Sequence, residues 1–337
     1  MKIYTKHELN EYHQSLTYDD ISLIPTQVSR IKSRKDPSTQ TTFLGLKLQL
    51  PVLSSPMDTV TGLEMAKELT RLGCLGILNR FDSSLDILLH NKNGKGVKAV
   101  SIGLNTEMKI VEQLVDRKMI ICIDTANANN REVLKKCEQI KKKFDTKVII
   151  GNIAHGGTLQ QLEDSGADAV RVGIGSGSVC TTSIQTGIGI GQVSSLLNVY
   201  FHRESKRLKI KIIADGGIKS PGDVAKAIAL GADVVMLGRM LSGTRETPGE
   251  VIKYKGQLWK KYRGSASFGV KMRNEFIEGE ETMVAYKGAV QNVIDAISDG
   301  LRSSMSYMNC FNITELRNAD TFAVLSNSSY LERLPKI

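Results

Sequence analysis

Eight short apolar runs alternate with helix-length stretches from about Leu50 onward, and this alternation constrains the fold more than any other feature. Continuous apolar strands separated by helices are typical of βαβ units around a parallel sheet that is covered on both faces. Eight such units predict a closed (β/α)8 TIM barrel, with active-site residues on the loops that follow the strands. Helices are expected at 64–72, 131–143 and 221–230. The strand candidates are LPVLSSPMD (50–58), LGILN (75–79), VKAVSIGL (97–104), MIICIDTA (119–126), KVIIGNI (147–153), AVRVGI (169–174), IKIIADGG (210–217) and VVMLGRM (234–240).

Two stretches of the chain repeat the same supersecondary unit. Residues 148–177 and 211–240 share a strand, a Gly-ended loop, a helix, the tripeptide Gly-Ala-Asp and a second strand that ends in glycine. This repeat fits consecutive right-handed βαβ modules. A doubly wound open sheet contains the same units, so it is the count of eight strands that favours the barrel. We expect one domain over residues 1–337, with an irregular N-terminal extension (1–49) and an irregular insertion at about 244–286.

The composition excludes several classes of protein. Apolar residues make up 41% of the chain, which rules out disorder. No apolar run approaches the roughly 18–20 residues of a membrane helix, and the polar N-terminus does not fit a signal peptide, so a cytoplasmic protein without a membrane partner is expected. The five cysteines are scattered without a CxxC pair, so neither a disulfide framework nor a zinc site is indicated.

The excess of basic residues gives a formal net charge of +10, which raises the question of nucleic-acid binding. Aromatic residues are only 5% of the chain, and the Lys and Arg residues are spread over the predicted amphipathic helices. We therefore expect a solvated basic surface with a local role in holding phosphates, and no nucleic-acid partner.

The loop after the sixth predicted strand combines glycines, hydroxyl residues and a cysteine. Its sequence, GIGSGSVCTTSIQTGIGIGQ (173–192), holds six glycines. Such a loop adopts positive φ angles or passes close to a ligand, and it can direct amides and carbonyls at a phosphate or a cation. Cys180 lies in its middle, at the catalytic end of a barrel strand, where a thiolate is a nucleophile. The alternative is a flexible connection with an incidental cysteine, and the density of these residues favours function.

The loop after the seventh predicted strand, ADGGIKSPGD (214–223), indicates a phosphate site. Ser220 as an N-cap, followed by proline, starts a helix. Gly217, and Gly238 after the eighth strand, let backbone amides approach a phosphate at the place where barrels commonly hold one. Asp215, just before the glycines, is suited to accept hydrogen bonds from a ribose diol, with a turn aspartate as its alternative.

Asp124 ends the fourth predicted strand, where its carboxylate is expected to project into the barrel mouth. Other catalytic patterns are missing from the sequence: the five histidines lie in dissimilar contexts, and no metal-ligand spacing is recognisable. The GxGxxG fingerprint does not occur between a strand and a helix, so the chain is not expected to bind a nucleotide in the Rossmann manner. A nucleotide would bind through the barrel loops.

These residues and their surroundings resemble the IMP dehydrogenase/GMP reductase family over nearly the whole chain. The motifs are long and occur in order, which makes the match specific. They are LTYDDISLIP (16–25), LPVLSSPMDTVTG (50–62), GIGSGSVCTT (173–182), IIADGGIKSPGDVAKAI (212–228), VVMLGRMLSGTRETPGE (234–250), YRGSAS (262–267), EGEETMVAYKG (278–288) and LRSSMSYM (301–308).

The resemblance implies a role for each matching residue. Cys180 is the nucleophile that attacks purine C2, and Thr182 and Glu278 relay the proton to the leaving group. Asp215 binds the ribose hydroxyls, while the phosphate and the base are contacted by Ser178, Gly216, Gly217, Gly238, Arg239, Gly264, Ser265, Ala266 and Gly279. Cofactor contacts are implied for Ser33, Arg34, Asn79, Arg80, Asp124, Thr125, Ala126, Ile174, Gly175, Ser303, Ser304 and Ser306. The carbonyls of Gly175, Gly177 and Cys180 match a potassium site.

Three features favour the reductase within this family. Only 82–96 occupies the interval where dehydrogenases usually carry a regulatory CBS pair, and no Arg-Tyr pair that would activate water lies between Gly264 and Glu278. GILNRF (76–81) and SIGLN (101–105) resemble the shorter, bacillus-type GMP reductases. The expected reaction converts GMP and NADPH to IMP, ammonia and NADP⁺. NADPH is preferred because Ser33-Arg34-Lys35 places positive charge for a 2′-phosphate, and the alternative is that RIKSRK (30–35) is a solvated basic loop. A homotetramer is implied.

The chain departs from the family pattern at several positions. Asn79-Arg80 stands where many reductases have a lysine, and Ser176 stands where most relatives have proline. Arg239 replaces a small residue near the phosphate, where it would add a charge-assisted contact or narrow the pocket. Two alternatives stay open at this point. One is an IMP dehydrogenase that converts IMP, NAD⁺ and water to XMP, and the other is a catalytically silent nucleotide-binding regulator.

Overall fold

The computed structural model describes residues 2–81, 84–90, 96–267 and 278–333. The strands within these ranges are β1 Ile21–Leu23, β2 Thr41–Phe43, β3 Leu46–Leu48, β4 Val52–Ser54, β5 Leu75–Leu78, β6 Ala99–Ile102, β7 Ile120–Asp124, β8 Val148–Ile153, β9 Ala169–Val172, β10 Lys211–Asp215, β11 Val234–Leu237, β12 Ile252–Tyr254, β13 Gln257–Arg263, β14 Glu281–Ala285 and β15 Phe322–Val324. The helices are α1 Lys6–Asn10, α2 Leu63–Arg71, α3 Ser84–His90, α4 Met108–Asp116, α5 Arg131–Lys143, α6 Leu159–Asp164, α7 Thr182–Thr186, α8 Gln192–Ser205, α9 Pro221–Ala229, α10 Val290–Tyr307, α11 Ile313–Arg317 and α12 Asn327–Glu332.

Strands β4 to β11 form a closed parallel barrel in chain order, in which β11 pairs with β4. Each strand lies inside one of the eight apolar runs, so the predicted (β/α)8 TIM barrel is confirmed. The predicted helix at 131–143 matches α5, and those at 64–72 and 221–230 match α2 and α9 to within one residue at an end. The internal repeat corresponds to the consecutive units β8-α6-β9 and β10-α9-β11.

The barrel interior is filled with apolar side chains at the amino ends of the strands. Leu75, Ala169 and Val234, at the starts of β5, β9 and β11, belong to one buried cluster that also contains Phe43 and Leu48 of the β2–β3 hairpin. The hairpin therefore covers this end of the barrel. Burying a side chain as large as phenylalanine contributes about 1.5–3 kcal/mol. Because this end is packed and covered, ligands have access only from the carboxyl ends of the strands.

Regular structure occurs in both segments that we expected to be irregular, so that expectation was wrong. The N-terminal extension contains α1 and the β2–β3 hairpin, and β1 pairs with β15 near the C-terminus. The 244–286 insertion contains a three-stranded antiparallel sheet of β12, β13 and β14. Most side chains of this small sheet are exposed, so its sequence lacks the apolar alternation that reveals a strand.

The N-terminus of α9 fixes the turn that follows β10. The Ser220 hydroxyl accepts a hydrogen bond from the backbone amide of Asp223, as an N-cap does, and Pro221 is the first helical residue, as predicted. Such a cap stabilises a helix by about 1 kcal/mol. Gly216 and Gly217 precede it with φ angles of 106° and 75°, a region that favours glycine.

Among the described helices, none is both long and apolar enough to cross a membrane.

Candidate active site

A cavity of about 410 Å³ opens at the carboxyl ends of the barrel strands. Its wall is formed by the loops after the strands, as expected for a barrel enzyme. The structure brings most of the proposed site residues to this one cavity, although they are distant in sequence. Those that line it are Arg80, Asp124, Thr125, Ala126, Ile174, Gly175, Gly177, Ser178, Cys180, Thr182, Asp215, Gly216, Gly217, Gly238, Arg239, Gly264, Ser265, Ala266 and Glu278.

Cys180, Thr182 and Glu278 form a continuous hydrogen-bonded chain in the cavity wall. The Cys180 thiol lies 3.3 Å from the Thr182 hydroxyl oxygen, and the Thr182 hydroxyl donates to Glu278 Oε2 at 2.7 Å. Cys180 is partly exposed, whereas the other four cysteines are buried. This arrangement connects a nucleophile to a carboxylate through one hydroxyl group, which suits proton transfer that accompanies attack by the thiol.

Backbone hydrogen bonds hold Glu278 next to the cysteine loop. The Thr181 amide donates to the Glu278 carbonyl at 2.9 Å, and the Glu280 amide donates to the Val179 carbonyl at 3.0 Å. An isolated antiparallel β-bridge between Cys180 and Gly279 belongs to the same contact. Gly279 acts through its backbone here and is not part of the cavity wall. The segment 268–277, in which we noted the missing Arg-Tyr pair, lies outside the described residues.

The loop that carries Cys180 leaves β9 at a position where only glycine fits. Gly173 has a φ angle of 144°, and a Cβ atom built on it would lie 1.9 Å from the carbonyl oxygen of Asp215. A side chain at this position would separate the loops after β9 and β10. The close approach of the two loops places Cys180 and Asp215 in the same cavity.

A buried guanidinium connects two carboxylates in the wall of the cavity. Arg171 Nη1 donates to Asp124 Oδ1 at 2.5 Å, while Arg171 Nε and Nη2 donate to Asp215 Oδ2 at 3.0 and 2.8 Å. Burial by itself lowers the pKa of the Arg171 guanidinium, but the charges of Asp215 and Asp124 outweigh burial and raise that pKa above its ordinary value. Arg171 therefore stays charged, and it compensates both acids in a site that is largely removed from water.

Another part of the cavity wall is rich in donors for an anion. The Ser178 hydroxyl lies 3.1 Å from the Tyr262 hydroxyl, and burial raises the pKa of Tyr262, which keeps it a neutral hydrogen-bonding group. Gly238 is next to this tyrosine, where a Cβ atom would lie 3.2 Å from its hydroxyl oxygen. Arg239 also lines the cavity, and among the described residues no carboxylate forms an ion pair with it. An arginine without an acidic partner, beside two hydroxyl groups, suits a phosphate.

Several of the proposed cofactor residues do not reach this cavity. Ser33 and Arg34 lie on an exposed loop, and the Arg34 guanidinium donates to the Tyr307 hydroxyl at 3.3 Å. The neighbouring Ser29 hydroxyl donates to the carbonyl of Ser306 at 2.7 Å. This loop therefore packs on the end of α10, which contains the proposed residues Ser303, Ser304 and Ser306, on the outside of the barrel.

Asn79 also differs from its expected placement. Its side chain is fully buried, where it donates to the Thr61 carbonyl at 3.0 Å and accepts from the Phe81 amide at 2.8 Å. It stabilises the turn that presents Arg80 and is not available to a cofactor. Arg80, the next residue, is the one that reaches the cavity.

Among the cavity residues to which sequence reasoning assigned no role are Arg171, Asn152 and Tyr262, whose side chains form hydrogen bonds there. The sequence did indicate a special role for Arg171, because it is a charged residue inside the apolar strand AVRV. A charge is rarely buried without a partner. Asn152 is the polar residue near the end of VIIGNI, and its amide donates to Asp215 Oδ2 at 2.9 Å. Tyr262 begins the YRGSAS motif (262–267) that carries the family resemblance, but no role was assigned to its side chain.

Comparisons with known proteins show which family this chain resembles. The family model described as the IMP dehydrogenase / GMP reductase domain matches residues 15–336. The chain is 34% identical over 322 residues to the GMP reductase of Bacillus subtilis strain 168, which covers 93% of this chain and 97% of the relative. It is 36% identical over 327 residues to the GMP reductase of Streptococcus gordonii strain Challis, with 95% and 98% coverage. Identity to the GMP reductase of Staphylococcus aureus strain JH9 is 35%, with 93% and 97% coverage.

Proposed function

The chain belongs to the IMP dehydrogenase/GMP reductase family, and from this premise we propose that it is an oxidoreductase that converts GMP to IMP and ammonia with NADPH as the reductant. The observation that carries the proposal is the Cys180–Thr182–Glu278 chain at the mouth of the barrel. It provides a nucleophile and a connected proton carrier for the removal of an amino group. An attacking water molecule is not needed for this reaction.

The first half of the reaction forms a covalent bond between the purine and the enzyme. The Cys180 sulfur adds to C2 of GMP, and its proton passes to the Thr182–Glu278 pair. The C2 amino group then takes a proton from the Thr182 hydroxyl and leaves as ammonia, while Glu278 returns a proton to Thr182. A positioned acid or base of this kind contributes roughly 10²–10⁴-fold to a rate.

The second half of the reaction releases IMP. NADPH, when bound, supplies the hydride that C2 receives. The C2–S bond breaks with its electron pair on sulfur, which restores the Cys180 thiolate. In total, GMP, NADPH and two protons give IMP, ammonium ion and NADP⁺, so the atoms and electrons balance.

We assign the binding of GMP to three groups of residues, one each for the ribose, the phosphate and the base. Three donors converge on Asp215 Oδ2, so Oδ1 is the atom that accepts from the ribose hydroxyls. Ser178, Arg239 and the backbone of Gly217 and Gly238 hold the phosphate. The loop that contains Gly264, Ser265 and Ala266, together with the backbone near Glu278, contacts the base.

The cofactor subsite lies beside Asp124. Arg80 Nε is buried without a hydrogen-bond partner in the described structure, and it lies 3.7 Å from Asp124 Oδ2. A second hollow of about 430 Å³, lined by Arg80, Asp124, Thr125 and the segment from Gly103 to Thr106, adjoins this position. An unpartnered donor next to a polar hollow fits the amide and ribose of a nicotinamide cofactor, so the residues present are compatible with NADPH.

Three further properties are part of the proposal. Potassium would be held by the carbonyls of Gly175, Gly177 and Cys180; the Gly177 carbonyl accepts from the Cys180 amide at 3.0 Å, and its second lone pair stays available. We also propose a homotetramer in the cytoplasm. Activity with K⁺ compared with a bulky organic cation tests the first property, light scattering tests the second, and fluorescence microscopy of a tagged chain tests the third.

The decisive experiment compares two substrate pairs on the purified protein. With GMP and NADPH we expect loss of the 340 nm absorbance and formation of IMP, and with IMP and NAD⁺ we expect no sustained NADH production. Cys180→Ala should abolish turnover but retain GMP binding in calorimetry. Steady NADH production from IMP would establish a dehydrogenase instead, and GMP binding without turnover in the unmodified protein would indicate a regulator.

A further inference from the structure

Arg171 occupies an unusual position for a charged residue, because it lies in the middle of the apolar strand β9. Its side chain is only 8% exposed. The guanidinium divides its donors between two acids, with Nη1 on Asp124 and both Nε and Nη2 on Asp215. These two acids stand at the ends of β7 and β10, so a single side chain spans the base of the cavity between them.

The geometry of this contact depends on the planar guanidinium. Its donors point in fixed directions, so it binds one carboxylate through two nitrogens while a third nitrogen reaches another acid. A lysine ammonium carries the same charge but has no comparable fixed fork. The exchange of Arg171 for lysine therefore keeps the charge and removes the simultaneous alignment of the two carboxylates.

We propose that Arg171 is a positioning residue that couples the GMP ribose subsite at Asp215 to the cofactor subsite at Asp124. The inference rests on the function proposed above, which assigns those two subsites. Each carboxylate presents its outer oxygen to a ligand only while Arg171 holds the inner one. Movement of the guanidinium toward one acid weakens its hold on the other, so the affinities for the two ligands are linked.

The surroundings of Arg171 support a role in binding beyond stability. The amide of Asn152 also donates to Asp215 Oδ2, at 2.9 Å, and Arg80 lies on the far side of Asp124. Each acid thus has a second positive or donating neighbour, and Arg171 is the group that the two acids share. All of these side chains line the cavity.

A matched control exists on the outside of the barrel. Arg203 in α8 is also buried, with a side chain 10% exposed, and its Nη1 donates to Asp233 Oδ2 at 2.7 Å. It therefore pairs with a buried acid as Arg171 does, but it does not line the cavity. Arg171→Lys and Arg203→Lys remove the same type of contact at the two places.

The experiment measures three quantities for each variant: the Kd of GMP and the Kd of NADPH by calorimetry, each in the absence of the other ligand, and the thermal midpoint. For Arg171→Lys we expect both ligands to bind about tenfold more weakly, which corresponds to the loss of one charge-assisted hydrogen bond. Arg203→Lys should lower the midpoint and leave both affinities unchanged. The proposal is overturned if Arg171→Lys lowers only the midpoint, or weakens the binding of only one ligand.

A second variant covers the case in which Arg171→Lys does not fold. Asp124→Asn leaves every contact of Asp215 with Asn152 and GMP in place, but it removes the charge that draws Arg171 toward the cofactor side. We expect it to lower the Kd of GMP about threefold or more, a coupling of ordinary size for neighbouring sites, because Arg171 then holds Asp215 alone. An unchanged or raised Kd of GMP overturns the coupling. Because these measurements need no turnover, they are independent of whether the chain reduces GMP or oxidises IMP.

Discussion

The Thr182 hydroxyl donates a 2.7 Å hydrogen bond to the Glu278 carboxylate, which joins the loop after the sixth barrel strand to the segment before β14. The same hydroxyl lies 3.3 Å from the Cys180 thiol. In the proposed mechanism, catalysis thus depends on a contact between two segments that are far apart in sequence. The small sheet of β12, β13 and β14 has a role in this contact, because it holds Glu278 in reach of the cysteine loop.

We expect Thr182→Val and Glu278→Gln to lower kcat for GMP reduction at least about 100-fold, because each breaks the path along which the proton moves. The KM for GMP should change by less than about threefold, since neither side chain carries the main binding contacts. Steady-state kinetics at 340 nm measure both quantities.

The control for the relay is Ser183→Ala, which removes a hydroxyl group from the residue next to Thr182 without touching the chain of hydrogen bonds. It should retain nearly full kcat. An equal loss of kcat in Ser183→Ala, or a retained kcat in Thr182→Val, would contradict a proton relay through Thr182.

Alkylation with iodoacetamide should modify Cys180 first. Burial raises the pKa of Cys74 and Cys122 to about 12, and that of Cys137 and Cys310 to about 11, so these four thiols are protonated as well as inaccessible near pH 8. Peptide mapping by mass spectrometry after brief treatment at pH 8 should find one modified cysteine, and saturating GMP should protect it. Labelling of a buried cysteine at a comparable rate would show that the chain opens readily at that place.

Arg239→Ser should raise the Kd of GMP about tenfold, because a charge-assisted contact with the phosphate is lost. The affinity for guanosine, which has no phosphate, should not change. Raising the salt concentration should weaken GMP binding less in the variant than in the parent protein. Arg245→Ser is the matched control, since Arg245 pairs with Glu246 outside the cavity. A parallel loss of guanosine affinity would show that Arg239 acts on the shape of the pocket.

Lys6→Met should change the pH dependence of stability. Burial lowers the pKa of Lys6 to about 8, against the opposing charge of Asp320, while the unfolded chain has the ordinary value of 10.5. Between these two values the unfolded state binds more protons, so this residue makes stability rise with pH. Its destabilising effect is present in full below pH 8 and disappears toward pH 10.5.

The variant lacks this effect, so its gain in free energy of unfolding over the parent protein should be larger at pH 7 than at pH 10. The shift in pKa sets an upper bound of about 3 kcal/mol on the change. Urea denaturation at the two pH values measures it. Lys2→Met, at an exposed position, should differ from the parent protein by nearly the same free energy of unfolding at both pH values. A pH-independent difference for Lys6→Met would mean that Lys6 is not buried in solution.

The fold was predictable because its signal is local and repeated. Each barrel strand is buried on both faces, so Val148–Ile153 and Val234–Leu237 appear as apolar runs in the sequence. The segment 244–286 was predicted wrongly because the strands in it are half exposed and carry mixed side chains. The glycine-rich loops, including the one that carries Cys180, were also found from a local pattern, because glycine, serine and cysteine are concentrated there.

The sequence by itself determined the barrel, the position of Cys180 on a loop after a strand, and the similarity to one enzyme family. Burial patterns and motifs are properties of residues that are close in sequence, so they can be recognised without a structure. The tertiary structure showed the direct contact between Thr182 and Glu278, which the family resemblance had implied. It alone decided that Arg171 joins Asp124 to Asp215, and that Asn79 is buried while Arg80 faces the cavity. These contacts join residues from different strands and loops, and their geometry depends on how the closed barrel brings the ends of its strands together.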